Sequence, residues 1–481
     1  VRHALYDTAT QQSPADPHDE LVEALDAMTL GGRTVFDTSW RQRSLARAVA
    51  GSVAVLALVS ASCGGDDDDG SDATTATAEG GTPADTQTAG TAVAETATPT
   101  DDGAGVTSGA APSGESLDAD LALLEQALGT SSPDGVPDVV LASIARAGTE
   151  VTPDMLTTAL KCWKEQQCDT GTGGDVTVAL ADGFGENVWR EVTYMEFVLQ
   201  ALTYPEIGEI IYTSAQGDTD KAISDFRSLI ARDVDVIVGF ADSGEALLPS
   251  VREATAQGIT VVPYISGPGG TAGEDYLAVV GEDLCQLGEN FAAVLNEEVG
   301  TGKIAFLGGT PGNPLSAAWQ ACEEPALGDG LELVGTADTN WTREGTLQAV
   351  SGLLSEHPDL AGISYEYADG FLGGVRAYEA ANAELDLVLT LRTDEIGLFC
   401  EWVSIGNPDF KIYFSSGGGF DSRIALTAGM MARTGEEVPP NIIVPAKMRQ
   451  VDESSCNPDI PGEAPASSLV PPDVLAAMYP A

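Results

Sequence analysis

Carboxylates are plentiful in this chain, but the partners that would make them catalytic are scarce. The three histidines, His3, His18 and His357, are scattered over 481 residues and cannot build a His-rich zinc site. No GxxxxGK[ST], HExxH, GxSxG or CxxC pattern occurs. Acids such as Glu366 and Asp369 stand without a nucleophile and base beside them, so no catalytic constellation can be assembled and no enzyme, metal or cofactor is expected. Recognition chemistry remains. Trp189, Tyr264, Trp319, Tyr367 and Phe420 offer faces that stack on a pyranose, cage a cation or hold an aromatic ring. Asn187, Ser266, Arg392, Asp394 and Asp421 add hydrogen bonds and charge. These ten are the candidate ligand contacts. Plainer roles stand beside some of them, Trp189 as core packing and Arg392 and Asp394 as partners of each other, and Tyr365, inside a strand, is read as core and left out.

The elements that must position these residues follow from periodicity. From Asp175 onward, short β-rich runs alternate with amphipathic stretches of helical period, the pattern of βαβ units and parallel sheets. The expected strands are 176–180, 207–213, 234–240, 259–265, 277–280, 303–307, 331–336, 362–366, 385–390 and 410–415. Ten runs exceed one ordinary sheet, so the expected fold is α/β, with two doubly wound parallel-sheet lobes joined by a hinge. Ligands in such sheets bind beyond the carboxyl ends of the strands. That face carries 182–189, 241–244, 264–270, 308–316, 366–369, 391–395 and 416–421. The glycines in Ser415-Ser416-Gly417-Gly418-Gly419 suit a hinge crossing, since no lysine accompanies them to hold a phosphate.

The expected boundaries are a leader and signal peptide over 1–62, a disordered acidic Thr/Ala/Gly-rich tether over 63–116, and a small helical prelude over 117–173. The N-terminal lobe takes 174–283 plus 419–438, and the C-terminal lobe and tail take 284–418 plus 439–481. In the prelude, Leu117, Leu121, Leu124 and Leu128 form one helical stripe closed by Gly129, and Thr152-Pro153 reads as a cap and first-turn proline. With 22 Lys+Arg against 74 Asp+Glu, the formal charge of −52 repels nucleic acid and anionic lipid faces.

The order of motifs resembles the type I periplasmic binding proteins of the ribose and galactose class, the solute receptors of ABC importers, over about residues 174–450. Gly185-Glu186-Asn187-Val188-Trp189-Arg190 follows the first strand as an Asn-x-Trp-Arg segment does in that family. Asp233-Val234-Asp235-Val236-Ile237-Val238, Gly258-Ile259-Thr260-Val261-Val262 and Asp369-Gly370-Phe371-Leu372-Gly373-Gly374 are similar to later family segments in the same order. The resemblance implies a lipid-anchored monomer that closes about a small polar ligand, typically a sugar, and delivers it to an ABC permease. A sensor presenting ligand to a membrane receptor, or a receptor for an aromatic or cationic solute, are the alternatives. Where family sugar receptors place an Asp-Arg pair, this chain has Ile265-Ser266. Trp319 stands near the place of a family arginine, and Tyr367 replaces an asparagine.

Arg41, Arg43 and Arg47 precede an apolar run from Ala48 to Val59 of signal-peptide length. Ser60-Ala61-Ser62-Cys63 after it resembles the lipobox of bacterial lipoproteins, implying lipidation at Cys63 and anchoring on the outer face of the cytoplasmic membrane. Ordinary cleavage beside Cys63 is the alternative, because Ser60 stands where the pattern prefers Leu. Residues 1–40 make an odd leader, which an upstream start codon would account for, with translation beginning near Met28. Between Gly64 and Ser116 lie eleven acidic residues and no aromatic one, which suits a flexible stalk. Six further cysteines, Cys162, Cys168, Cys285, Cys322, Cys400 and Cys456, suit three disulfides outside the cytoplasm. Cys162–Cys168 is the most local pairing. For the other four, Cys285–Cys322 with Cys400–Cys456 is the pairing adopted, although six cysteines permit 15 connectivities.

Overall fold

The structure, a computed structural model, describes residues 114–184, 187–312 and 314–479. The leader, Cys63 and nearly all of the tether lie outside the described residues. Three helices come first: Gly114–Leu128, closed by Gly129 at φ 68°, then Asp138–Ala147, then Pro153–Glu165. The last begins as its sequence requires, with the Thr152 side chain accepting from the Met155 N–H and proline in the first turn.

In chain order the strands are β1 Gln167–Asp169, β2 Val176–Asp182, β3 Ile207–Ser214, β4 Val236–Phe240, β5 Thr260–Pro263, β6 Val279–Gly281, β7 Gly302–Gly308, β8 Leu331–Asp338, β9 Leu360–Tyr365, β10 Val388–Leu391, β11 Lys411–Phe414, β12 Asn441–Ile443 and β13 Arg449–Gln450. The first sheet has the order β1-β3-β2-β4-β5 and the second β13-β11-β10-β9-β7-β8. All neighbours are parallel except the edge strands β1 and β13, which run antiparallel. All ten expected runs are strands, within a few residues of their expected ends. β1, β12 and β13 are additional, each three residues or fewer.

Both sheets are covered on both faces, and the strands show it residue by residue. Val178 and Leu180 of β2 face one core with Val236 and Val238 of β4, whereas Ala179, Ala181 and Ile237 face another. In the second lobe, Ile304 and Phe306 of β7 face one core, while Ala305 and Leu307 face the other. Near-continuous apolar runs with period-two sorting are what a doubly wound parallel sheet requires.

The chain passes between lobes after β6, after β11 and after β12. β6 and β12 pair with each other as a small parallel two-stranded sheet, so two of the three crossings are hydrogen-bonded together. Gly418, at φ 66°, lies on the third, as the expected hinge glycines require. The end of the chain departs from the expected boundaries. Residues 439–481 were expected with the second lobe, yet Leu469, Val470, Val474, Leu475 and Met478 pack into the first lobe's core with Leu124 and Val198. The helix Pro472–Met478 carries the last three, and Leu469 and Val470 lead into it.

Disulfides join Cys162 to Cys168, Cys285 to Cys322 and Cys400 to Cys456, as the adopted pairing had it. Among the described residues, no helix is long and apolar enough to cross a membrane, and no cluster of His, Cys, Asp or Glu could hold a metal ion.

Candidate functional site: a cleft between the lobes

In each sheet the strand order reverses around one strand, β2 in the first and β7 in the second, and crevices open at the carboxyl ends beside them. A cavity of about 380 Å³ lies there, lined from both lobes. The first lobe contributes Phe184, Asn187, Trp189 and Arg190 after β2, Phe240 and Asp242 at the end of β4, and Ile265 and Ser266 after β5. The second contributes Pro314 and Leu315 after β7, Trp341 after β8, Tyr367 and Glu366 after β9, and Arg392, Thr393 and Glu395 after β10.

On the first-lobe wall Arg190 is held rigidly. Its Nη1 donates to Asp182 at 3.0 Å and its Nη2 to Asp242 at 3.1 Å, and its guanidinium lies 3.7 Å from the centre of the Phe240 ring. Burial outweighs this partner for Asp242, pushing its carboxyl up to about 6. Trp189 meets Phe240 edge-on at 6.2 Å, and its buried indole N–H has no acceptor among the described residues. Asn187 caps the helix Val188–Ala201 by accepting from the Arg190 N–H at 2.9 Å. Ile265 occupies the left-handed region at φ 57°, costly for a β-branched residue, and Ser266 donates to the Ala241 carbonyl at 3.1 Å.

The opposite wall is organised by Glu366. Its carboxylate accepts the Trp319 indole N–H at 2.7 Å on Oε1 and the Trp341 indole N–H at 2.6 Å on Oε2. Burial raises its pKa, countered by these donors and by Arg392. Trp341 reaches it from a turn in which Asn340 and Trp341 both have positive φ, 55° and 50°. The indole rests on Gly309, where a Cβ would stand 2.1 Å from Cε2, so only glycine leaves room. Arg392 is paired through Nε with Glu282, which sits at the first crossing. Its buried Nη2 has no acceptor among the described residues. Glu395, fully buried, accepts from the Thr393 hydroxyl at 2.5 Å and the Asp369 N–H at 3.2 Å on Oε2, whereas Oε1 has no partner among the described residues. Burial, reinforced by Asp394 and Asp369, pushes its carboxyl up to about 8, so at neutral pH it is mostly a neutral acid able to donate.

Of the ten residues selected from sequence, the structure brings five to the cavity wall: Asn187, Trp189, Ser266, Tyr367 and Arg392. The other five stand behind it. Tyr264, without exposure, backs Phe240 edge-on at 5.2 Å. Trp319 is enclosed by Phe291 and Phe306 and donates to the cavity residue Glu366 from behind the wall. Asp394 does not pair with Arg392 but accepts the Ser467 N–H at 2.7 Å. Phe420 is in the first lobe's core, and Asp421 is buried beside Glu282 and Arg392, its pKa raised by burial first and then by Glu282. Sequence reading passed over Trp341 because the end of β8 was left out of the strand-end face. The same rule, applied there, selects Thr339-Asn340-Trp341.

Residues 180–403 match the family described as the periplasmic binding protein domain. Among solved structures, a periplasmic solute-binding protein of an ABC transporter from Actinobacillus succinogenes, with bound D-allose, is 22% identical with a TM-score of 0.51, covering 58% of this chain and 98% of its own. The periplasmic ribose ABC transporter protein from Conexibacter woesei is 21% identical with a TM-score of 0.52, over 59% of this chain and 94% of its own. The fructose-binding periplasmic domain of a hybrid two-component system is 19% identical with a TM-score of 0.50, over 58% and 91%. No curated protein sequence matches the chain. The matched family and these neighbours are binding proteins, not enzymes. With two doubly wound lobes, three crossings and a cleft at the strand ends, the chain has the type I fold of these binding proteins, and its residues 180–403 match their family.

Proposed function

We propose that the chain is an extracytoplasmic receptor that captures a small, largely uncharged polar ligand, a sugar or sugar-like molecule, between its lobes and delivers it to an ABC permease. The observation that carries this reading is a cleft with aromatic walls from both lobes in which both arginines are already paired, Arg190 with Asp182 and Asp242 and Arg392 with Glu282. A charged ligand would have to compete with those partners, whereas a polyol can use what remains. Its hydroxyls would accept from Trp189 Nε1, Arg392 Nη2 and neutral Glu395, and donate to Glu366 and Asp242. Rings of Trp189, Trp341 and Tyr367 would cover its apolar faces. Because Ile265-Ser266 stands in place of the family's Asp-Arg pair, ribose and galactose should bind weakly. Lipidation at Cys63 would hold the receptor near its permease and raise the effective concentration.

The likeness to the sensory fructose-binding domain favours a second reading, in which the closed form is presented to a signalling receptor. Binding is tested by a thermal-shift screen over sugars, polyols, amines and nucleosides. A ligand at a hundred times its Kd adds about 2.7 kcal/mol to stability. Stabilisation only by amines would replace the sugar reading with a cationic one.

A further inference from the structure

Beyond the three crossings, the chain passes between lobes once more, at its C-terminal end. After the Cys400–Cys456 disulfide fixes it to the second lobe, the segment runs along that lobe: Gly397 N–H donates to Gly462 O at 2.6 Å, Ile396 N–H to Ala464 O at 3.0 Å, and Ala466 N–H to Asp394 O at 2.9 Å. Ser467 N–H then donates to the Asp394 carboxylate at 2.7 Å. The next residue changes lobes. Ser468 Oγ–H and Leu469 N–H both donate at 2.7 Å to Glu196 of the first-lobe helix Val188–Ala201, and Val470 N–H follows at 3.2 Å. Glu196 is further held by Arg423. The segment ends with Pro472–Met478 against Pro153–Glu165, where Trp163 meets Tyr479 edge-on at 5.8 Å and Tyr479 Oη–H donates to Glu191 at 2.6 Å.

Two fully buried carboxylates, one in each lobe, are thus gripped by adjacent residues of one segment. Asp394 lies between the cavity residues Thr393 and Glu395, and Glu196 is two turns along the helix from Trp189. Breaking the grip on Asp394 would strip a buried carboxylate of its Ser467 donor, and breaking the grip on Glu196 would leave that carboxylate with Arg423 alone, each unfavourable in an enclosed site. We propose that residues 462–470 are a positioning strap, a fourth crossing that sets the spacing of the two lobes and keeps Thr393–Glu395 in register with Trp189. Rotation about the other crossings is then limited to what the Ser467–Ser468 link permits. This rests on the two-lobed reading of the cleft but requires no bound ligand, so it can fail while sugar binding holds.

The test inserts six Gly/Ser residues between Ser467 and Ser468, leaving every contacting residue present but adding about 13 Å of flexible reach. Spin labels on cysteines replacing exposed Glu253 and Glu356, one per lobe, with Cys63→Ala, report the inter-lobe distance in the ligand-free full chain. The uninterrupted chain should give one narrow distribution, and the insertion should broaden it and add a longer population. A broad distribution in the uninterrupted chain, or identical distributions in both, would overturn the proposal. If the insertion does not fold, hydrogen exchange in the unaltered chain decides. The Ser467 and Leu469 amides should exchange only with global unfolding, and exchange at loop rates would equally overturn it.

Discussion

Glu395→Gln should remove a large part of the pH dependence of stability. Burial lifts this carboxyl from 4.5 to about 8, against the opposing Thr393 hydroxyl. Across that window the folded chain keeps a proton that the unfolded chain has lost, so stability falls as pH rises. The contribution is complete below about 4.5 and gone above about 8. A shift of 8 − 4.5 = 3.5 at 1.36 kcal/mol per unit sets a ceiling on the order of 5 kcal/mol. Glutamine can place its amide oxygen where Oε2 accepts from Thr393 and Asp369, and it cannot ionise. Urea unfolding of both proteins from about pH 5 to about pH 9 measures the difference. Other buried acids, among them Asp421, Glu323 and Asp242, slope the same way in both proteins and cancel. Parallel profiles would refute the reasoning, because Glu395 would then ionise normally despite its enclosure.

Gly309→Ala should expel the Trp341 indole and cost about 1.5–3 kcal/mol from the lost hydrogen bond to Glu366, read by urea unfolding; an unchanged midpoint would contradict the crowding at Gly309. Trp189→Ala should cost the best ligand of the screen about 2 kcal/mol, roughly thirtyfold in affinity, whereas Trp319→Ala should cost about 3–5 kcal/mol of stability without any ligand. The reverse pattern would exchange the roles of the two indoles. Thiol titration of the denatured mature chain should find no free thiol beyond an unmodified Cys63. Cys63→Ala should release a soluble protein or leave an uncleaved precursor, and a wild-type protein wholly soluble with another mature terminus would count against the anchor.

The lobes were legible because each strand carries its instruction locally. Val176 to Asp182 alternates between two cores, and the runs that follow repeat that pattern at regular intervals. Strand ends then locate the cleft, since a doubly wound sheet leaves its carboxyl edge open. What the sequence could not show is which side chain at a strand end turns outward. Trp189 and Trp319 both lie in helices that follow strands, yet Trp189 reaches the cavity and Trp319 turns inward between Phe291 and Phe306. That choice depends on neighbours supplied from far along the chain.

The tail was the least legible part for the same reason. The run from Gly462 to Val470 has neither helical nor strand period, so nothing local marks it as structural. Its order comes from carboxylates at Glu196 and Asp394, separated from it by 272 and 73 residues in the chain. A buried acid read from sequence is an anomaly in search of a partner, and here both acids have one in a segment that looks like a loop. The buried carboxylates of this chain, more than its helices, show where distant segments must meet. Glu366 joins two tryptophans, Glu196 joins the tail to the first lobe, and Asp394 joins the tail to the second.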